Sequence, residues 1–186
     1  MGDEARAMAV TPPDDARSEL AAIYDREADY VWRSLERLGV PRSERPDLTQ
    51  EVFLVVHRKL GDYDRSRPIR PWLFGIAFRV AVGFKRRAQR GEVFEDPSGD
   101  LDPKRSPEEL TLISERWTLA MRALQHIPLE RRAVFIRHCI EGASVVEVAE
   151  ELEIPVNTAY SRLRLSRRDF RRAVEELTAE GRAEDG

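Results

Sequence analysis

Six arginines stand among eleven consecutive residues near the end of the chain, in the stretch "RLRLSRRDFRR". They are Arg162, Arg164, Arg167, Arg168, Arg171 and Arg172. Asp169 is the single acid among them, whereas a solvated helix face usually mixes charges of both signs. An arginine side chain can bind phosphate and can recognise guanine through two parallel hydrogen bonds. This pattern favours a nucleic-acid contact, and an ordinary surface helix is the alternative.

A second basic segment lies in the first half of the chain. All charged residues between Arg65 and Arg90 are basic, whereas the segment 91–110 is mainly acidic. The net charge of -3 therefore conceals two basic segments separated by an acidic one. Aromatic side chains beside positive charge, as in "FKRR", suit a single strand of nucleic acid, because bases stack on rings and phosphates attract cations. Segregated charge of this kind indicates separate surfaces for different partners.

Other kinds of chemistry find little support in the sequence. Cys139 is the only cysteine, and the three histidines show no spacing typical of metal ligands. No set of nucleophile and base residues converges in the pattern, so we expect neither an enzyme nor a metal or other cofactor. The start, "MGDEARAMAVTPPDD", has no apolar signal-peptide core, and no run approaches the roughly 20 apolar residues of a membrane span. We expect a cytosolic protein without a membrane contact.

Helical spacing of apolar residues predicts an all-α chain. We expect residues 1–16 to be disordered and 91–110 to form an acidic, flexible linker between two small helical domains, 17–90 and 111–180. A Gly that follows the last apolar position ends the first two helices, and Pro71 suits the first position of the third. The predicted helices are 18–38, 48–60, 71–90, 110–126, 129–140, 144–152 and 156–178.

The last two helices have the pattern of a helix-turn-helix. Ser144 and Glu147 match a capping box at the start of one helix, and Asn157 is a good N-cap for the next. Glu153 occupies the turn position that often holds Gly, where a left-handed backbone strains any other residue. We predict that Val156, Ala159, Leu163, Phe170 and Val174 face inward. The second helix would then present polar and basic side chains to the major groove, although a plain helical hairpin fits the same pattern.

Two longer stretches resemble one known family. "DLTQEVFLVVHRKLGDYD" followed by "RPIRPWLFGIAFRVAVGFKRRAQR" is similar to region 2 of bacterial RNA polymerase sigma factors of the extracytoplasmic-function (ECF) group. "ALQHIPLERRAVFIRHCIEGASVVEVAEELEIPVNTAYSRLRLSRRDFRRAV" resembles region 4 of the same group. The resemblance covers about residues 18–178 in the right order. It implies a region 2 helical bundle and a region 4 helix-turn-helix.

The resemblance implies a partner for each surface. Core polymerase would be bound through its clamp and flap, with the clamp meeting the outer face of the second helix at Asp47, Gln50, Glu51, Leu54 and Arg58. The −10 promoter element would be opened and held as a single strand by Tyr63, Arg67, Arg70, Trp72, Arg79, Phe84, Lys85, Arg86 and Arg87. The −35 element would be bound as duplex by Asn157, Thr158, Tyr160, Ser161, Arg162, Arg164, Arg167 and Arg168. An anti-sigma factor is a further implied partner.

The chain departs from the family pattern at one position of interest. Members often carry Asn where this chain has Arg79, so the base preference there need not be the usual one. A stand-alone helix-turn-helix repressor or activator with a helical sensing domain is the alternative function. Such a regulator would need a dimer interface and a ligand pocket, and binding of core polymerase distinguishes the two.

Overall fold

A computed structural model describes residues 14–91 and 112–184, and all regular structure in these two ranges is helical. The seven α-helices are α1 (Asp14–Leu38), α2 (Arg45–Lys59), α3 (Ile69–Gln89), α4 (Leu112–Gln125), α5 (Leu129–Phe135), α6 (Val145–Glu151) and α7 (Val156–Glu184). The all-α prediction is therefore confirmed. The predicted linker falls almost wholly outside the described residues. The predicted disordered start is wrong for residues 14–16, because α1 already begins at Asp14.

Short 3-10 and π-helical segments lie at the ends of some α-helices. Two 3-10 turns, Arg42–Glu44 and Leu60–Asp62, flank α2, and a π-helical turn, Ile136–Ile140, extends α5. Gly39 has a φ of 89°, a left-handed conformation that ends α1 and that glycine adopts without strain. Among the described residues, no helix is long and apolar enough to cross a membrane.

The first three helices form one bundle, in which α1, α2 and α3 pack pairwise. Leu35, Val52, Phe74 and Ile76 are essentially inaccessible to solvent in its centre. Helix α3 is buried on most of its surface until Phe84, and it emerges at its basic end. The bundle therefore fixes which side chains of α2 and α3 reach solvent.

The last four helices form a second unit in which α7 packs on α4, α5 and α6. Ala159 and Leu163 of α7 are buried, and the Phe170 ring stacks on Phe135 at a centroid distance of 4.8 Å. The predicted inward position of Val156 is wrong, because 39% of this residue is exposed. It is the first residue of α7.

Candidate nucleic-acid interface

The helix-turn-helix consists of α6, a turn and α7. The Ser144 side chain accepts a hydrogen bond from the Glu147 amide, and the Glu147 carboxylate accepts one from the Ser144 amide, so the predicted capping box is present. The same hydrogen bonds lower the pKa of the Glu147 carboxyl. Glu153 has a φ of 55°, the left-handed conformation expected at this position. A non-glycine residue is thus held in a conformation that it adopts only under constraint from its surroundings.

The start of α7 differs from the prediction at Asn157. The helix begins at Val156, and the amides of Thr158 and Ala159 donate to the Pro155 carbonyl at 2.9 and 3.1 Å. Pro155 therefore stands at the cap position, and Asn157 lies exposed in the first turn. Because the Asn side chain does not cap the helix, it is free to meet a partner.

The basic side chains of α7 line a groove of about 700 Å³ beside the start of α6. We call this surface the α7 groove; its lining includes His138, Tyr160, Arg164, Arg167 and Arg168. Tyr160 is 55% exposed, and neither Arg164 nor Arg167 forms an ion pair with another described residue. Guanidinium groups without carboxylate partners are suited to phosphate and base edges.

The remaining predicted residues of α7 vary in accessibility. Ser161 is exposed, whereas Thr158 and Arg162 are half-buried. Asp169 is 6% exposed and accepts a hydrogen bond from Arg131 of α5 at 2.8 Å, with Arg168 at 3.6 Å. The only acid of the arginine-rich stretch is thus removed from the outer surface, and that surface is more positive than the sequence suggests.

Helix α3 places its predicted single-strand residues in different environments. Lys85 and Arg86 are exposed at the basic end, whereas Arg87 is half-buried and donates to Glu51 of α2 at 3.2 Å. The prediction for Phe84 needs correction, because the ring is only 4% exposed and belongs to the core. A base could stack on it only if the bundle opened.

The loop before α3 supplies the accessible aromatic surface instead. The Tyr63 and Trp72 rings stack at a centroid distance of 4.8 Å with 29° between their planes. The Tyr63 hydroxyl donates to the Arg67 carbonyl at 2.5 Å, which closes the loop into a tight turn. Both rings are half-buried, so their outer edges remain accessible to an unpaired base.

Two arginines predicted to meet the −10 strand have partners within the chain. Arg70 donates to the buried Glu27 carboxylate at 2.9 Å and lies 5.2 Å from the centre of the Tyr30 ring. Burial alone would raise the pKa of Glu27, but the hydrogen bonds from Arg70 and Arg26 lower it. Arg79 donates to Glu153 of the helix-turn-helix at 2.9 Å.

The outer face of α2 separates from its core face as the pattern predicts. Asp47, Gln50, Leu54 and Arg58 are exposed, and Glu51 is half-buried beside Arg87. A groove of about 580 Å³ runs along this face; its lining includes Leu20 and Tyr24 of α1 with Gln50, Leu54 and His57 of α2. We call it the α1–α2 groove.

Sequence reasoning missed the contribution of α1 to this groove. Tyr24 is 48% exposed and Leu54 is 50% exposed, and both line this groove, so the two side chains form a shared exposed apolar surface. The signal was a tyrosine adjacent to Ile23, which is a core position of α1. No group of His, Cys, Asp and Glu in the described ranges is arranged to hold a metal ion.

These features together define a helical DNA-binding protein with two separate basic surfaces and an apolar groove. The comparisons with known proteins agree with this class. The model of Sigma-70 region 2 matches residues 23–91, and that of Sigma-70, region 4 matches residues 118–170. The chain therefore belongs to the sigma-70 family, in its ECF group.

The relatives and structural neighbours are consistent with that membership. The chain is 31% identical over 162 residues to the ECF RNA polymerase sigma factor SigL of Mycobacterium tuberculosis, covering 85% of this chain and 90% of SigL. It is 28% identical over 155 residues to the ECF RNA polymerase sigma-E factor of Escherichia coli, covering 77% of this chain and 81% of the relative.

Two solved structures share the fold. The sigma factor RpoE in complex with the anti-sigma factor NepR from Bartonella quintana has a TM-score of 0.65 at 17% identity, covering 87% of this chain and 97% of RpoE. CnrH in complex with the cytosolic domain of CnrY has a TM-score of 0.57 at 21% identity, covering 86% of this chain and 90% of CnrH.

As an ECF sigma factor, the protein is a non-enzymatic initiation factor that binds core RNA polymerase and directs promoter recognition. Because both sigma regions are present in one chain, the alternative function of a stand-alone helix-turn-helix regulator is excluded.

Proposed function

We propose that the α7 groove binds the duplex −35 element. The observation that carries this assignment is the set of exposed arginines on the second helix of a capped helix-turn-helix, with the one nearby acid buried against Arg131. Tyr160 and Arg164 lie near the N-terminal end of α7, the part of such a helix that enters the major groove. Arg167 and Arg168 follow one turn later, where phosphate contacts fix the position of the helix on the duplex.

The −10 strand would be held by the Tyr63–Trp72 stack and the basic end of α3. The stack supplies an aromatic surface, and Lys85 and Arg86 supply exposed positive charge. Arg67 and Arg79 would join them when released from Glu150 and Glu153. Phe84 has no direct part in this assignment; its ring holds α3 in the bundle.

The outer face of α2 would bind the polymerase clamp. Asp47, Gln50 and Arg58 offer polar contacts around the apolar centre that Leu54 and Tyr24 form in the α1–α2 groove. A desolvated apolar centre with a polar rim is the usual anatomy of a protein interface. The flap would meet the region 4 half of the chain. Glu51 of this face accepts a hydrogen bond from Arg87 of α3, so clamp contact would influence how α3 is presented.

An inhibitory anti-sigma partner is proposed from the structural neighbours, both of which were solved with a protein bound. A cytoplasmic location is proposed from the role, because the chain must meet core polymerase and promoter DNA. Both proposals are tested by isolating the chain from its native cells and identifying the proteins that bind it.

The −35 assignment is tested by replacing Arg164 with Ala in the reconstituted holoenzyme. We expect weaker promoter binding and relaxed preference in the −35 element, because one Arg–guanine pair contributes about 1–3 kcal/mol of discrimination. Arg172→Ala is the matched control, since it removes the same charge from α7 at a residue that faces Glu176 at 3.6 Å. Equal losses for both variants would show that only the overall charge of α7 matters.

A further inference from the structure

The loop between α2 and α3 contains a turn that is closed by its own hydrogen bonds. The Asp64 carboxylate accepts hydrogen bonds from the Ser66 amide at 2.9 Å and from the Ser66 hydroxyl at 2.7 Å. The Arg67 amide donates to the Asp64 carbonyl at 3.1 Å, and the Tyr63 hydroxyl donates to the Arg67 carbonyl. We call residues 63–67 the Tyr63 turn. Local bonds of this kind set the shape of a turn, but they do not fix where it lies on the bundle.

A contact with α1 fixes the position of the Tyr63 turn. Arg65, at the centre of the turn, donates from Nε to one carboxylate oxygen of Glu19 at 2.9 Å and from Nη2 to the other at 2.7 Å. Two parallel hydrogen bonds fix the relative orientation of a guanidinium and a carboxylate as well as their distance. Because Glu19 lies on a helix of the bundle, this contact between residues 46 positions apart holds the turn to the bundle.

A second carboxylate of α1 holds the start of α3. Glu27 is buried and accepts a hydrogen bond from Arg70 at 2.9 Å. Glu19 and Glu27 are separated by about two helical turns, which is about 12 Å along α1. Helix α1 therefore offers one acid to the Tyr63 turn and another to the first turn of α3.

The Tyr63–Trp72 stack joins the two parts that these carboxylates hold. Tyr63 belongs to the turn and Trp72 to the beginning of α3, and their ring centroids are 4.8 Å apart. Rings that are already ordered bind a base at a lower entropic cost than rings that become ordered only on binding. Glu19 and Glu27 are thus placed to keep this aromatic surface ordered before a strand binds.

The stability of the fold does not account for the contact between Glu19 and Arg65. The two side chains are 34% and 58% exposed, and exposed ion pairs contribute little to stability. The hydrogen bonds from Arg65 lower the pKa of the Glu19 carboxyl, so Glu19 keeps its charge at neutral pH. Arg65 is held by this carboxylate, whereas Lys85 and Arg86 are exposed at the other end of α3. The contact is therefore suited to orienting the turn.

We propose that Glu19 is a positioning residue for −10 recognition: by holding Arg65, it keeps Tyr63 stacked on Trp72 and so presents an ordered aromatic surface to one unpaired base. The proposal rests on the proposed −10 role of the Tyr63–Trp72 stack. Helix α1 supplies none of the residues proposed to contact DNA, yet it determines how tightly the −10 strand is bound.

Glu19→Gln in the reconstituted holoenzyme is the direct test. The amide keeps the size of the side chain but loses its charge and one of its two acceptor atoms. The probe is a single-stranded oligonucleotide with the −10 element of a promoter that the holoenzyme selects from a library, and fluorescence anisotropy reports its binding. We expect binding to weaken about two- to fivefold, the effect of losing an exposed ion pair. Binding of a −35 duplex should not change, because α7 makes that contact.

Asp29→Asn is the matched control. Asp29 forms an exposed ion pair with Arg33 at 2.5 Å, and both residues belong to α1. The variant removes the same charge and one ion pair but leaves the Tyr63 turn unchanged, so −10 binding should equal that of the wild type. If Glu19→Gln and Asp29→Asn weaken −10 binding equally, only the charge of α1 matters and the proposal is wrong.

Exchanging the two charges tests the ion pair itself. Glu19→Arg alone places two guanidinium groups together and should weaken −10 binding more than Glu19→Gln does. Adding Arg65→Glu restores an ion pair of the same combined length with its polarity reversed. We expect the double variant to bind within about twofold of the wild type, because the two changes compensate at one contact. A double variant as weak as Glu19→Arg would contradict a positioning role for this pair.

Tyr63→Ala shows whether Glu19 acts through the stack. It should weaken −10 binding at least about fivefold, the usual effect of losing one stacked base. Adding Glu19→Gln to Tyr63→Ala should then have no further effect, whereas a general effect on the fold would add to the loss. Oligonucleotides that each lack one base identify the stacked base, since its removal should weaken binding by the wild type and leave binding by Tyr63→Ala unchanged.

The outcomes separate the role of Glu19 from the assignment of the stack. If Tyr63→Ala binds the −10 oligonucleotide as tightly as the wild type, the assignment of the stack is wrong and the proposal falls with it. If Tyr63→Ala weakens binding and Glu19→Gln does not, the stack contacts the strand but Glu19 does not position it. If Glu19→Gln binds more tightly, Glu19 only withholds Arg65 from phosphate, which also overturns the proposal.

Discussion

The orientation of the helix-turn-helix depends on one buried arginine. Arg137 is 7% exposed as a side chain and donates to Glu151 at 2.6 and 2.7 Å, at the end of α6. It also donates to Glu141 in the loop before α6. Burial alone would lower the pKa of Arg137, but the hydrogen bonds to Glu151 and its charge raise it. The guanidinium group therefore ties the π-helical turn to both ends of the segment that carries α6.

Replacing Arg137 with Gln should destabilise the protein by about 3–5 kcal/mol, the usual cost of breaking a buried ion pair. The Glu151 side chain is 10% exposed, and Arg137 is its only hydrogen-bond partner among the described residues, so its charge would be left buried. Glu141 would be less affected because it still accepts hydrogen bonds from Tyr30 and Arg37. In a chain of this size each kcal/mol corresponds to about 2–4 °C in Tm.

Urea unfolding followed by circular dichroism measures the loss of stability. The control is a double variant that carries both Arg137→Gln and Glu151→Gln. The double variant removes both charges, so we expect it to recover at least about 1 kcal/mol relative to Arg137→Gln alone. A loss below about 1 kcal/mol for the single variant, or a double variant that is less stable still, would refute the assignment of Glu151 as a charge that depends on Arg137.

Three further predictions concern other parts of the molecule. Ser144→Ala removes the side-chain oxygen that accepts a hydrogen bond from the Glu147 amide, and it should lower the free energy of unfolding by about 1 kcal/mol, measured by urea titration; an unchanged midpoint would contradict a stabilising cap. Because the hydrogen bond from Arg70 keeps the pKa of Glu27 below the usual 4.5, its stabilisation is present above that pH and is lost as the pH falls through the lowered pKa. Glu27→Gln should make the stability depend less on pH in the acid range. Thermal unfolding measured in steps of about one pH unit between about pH 3 and 7 checks this. Arg164→Ala should reduce closed-complex formation by holoenzyme in a salt-dependent manner, and a pre-melted template that restored full activity would contradict a duplex contact.

The sequence alone determined most of the local structure. The 3.6-residue period of apolar positions predicts seven helical segments, Gly39 predicts the end of α1, and the Ser144 capping box predicts the start of α6. The prediction that Pro71 opens the third helix is wrong, because α3 already begins at Ile69. These signals act over one or two helical turns, so they can be read from neighbouring residues. The separation of the outer face of α2 from its core face follows from the same periodicity.

Only the tertiary structure decided which distant residues meet. The pairs Arg79–Glu153 and Arg131–Asp169 join residues 74 and 38 positions apart, and no helical period links such positions. Phe84 has the aromatic type that a melted strand requires, yet the packing of α3 in the bundle buries it. A pattern shows that a face is apolar or basic, but the partner of that face depends on how the helices pack. For this reason the sequence predicted two basic surfaces but did not indicate that Arg79 of α3 is paired with Glu153 of the helix-turn-helix.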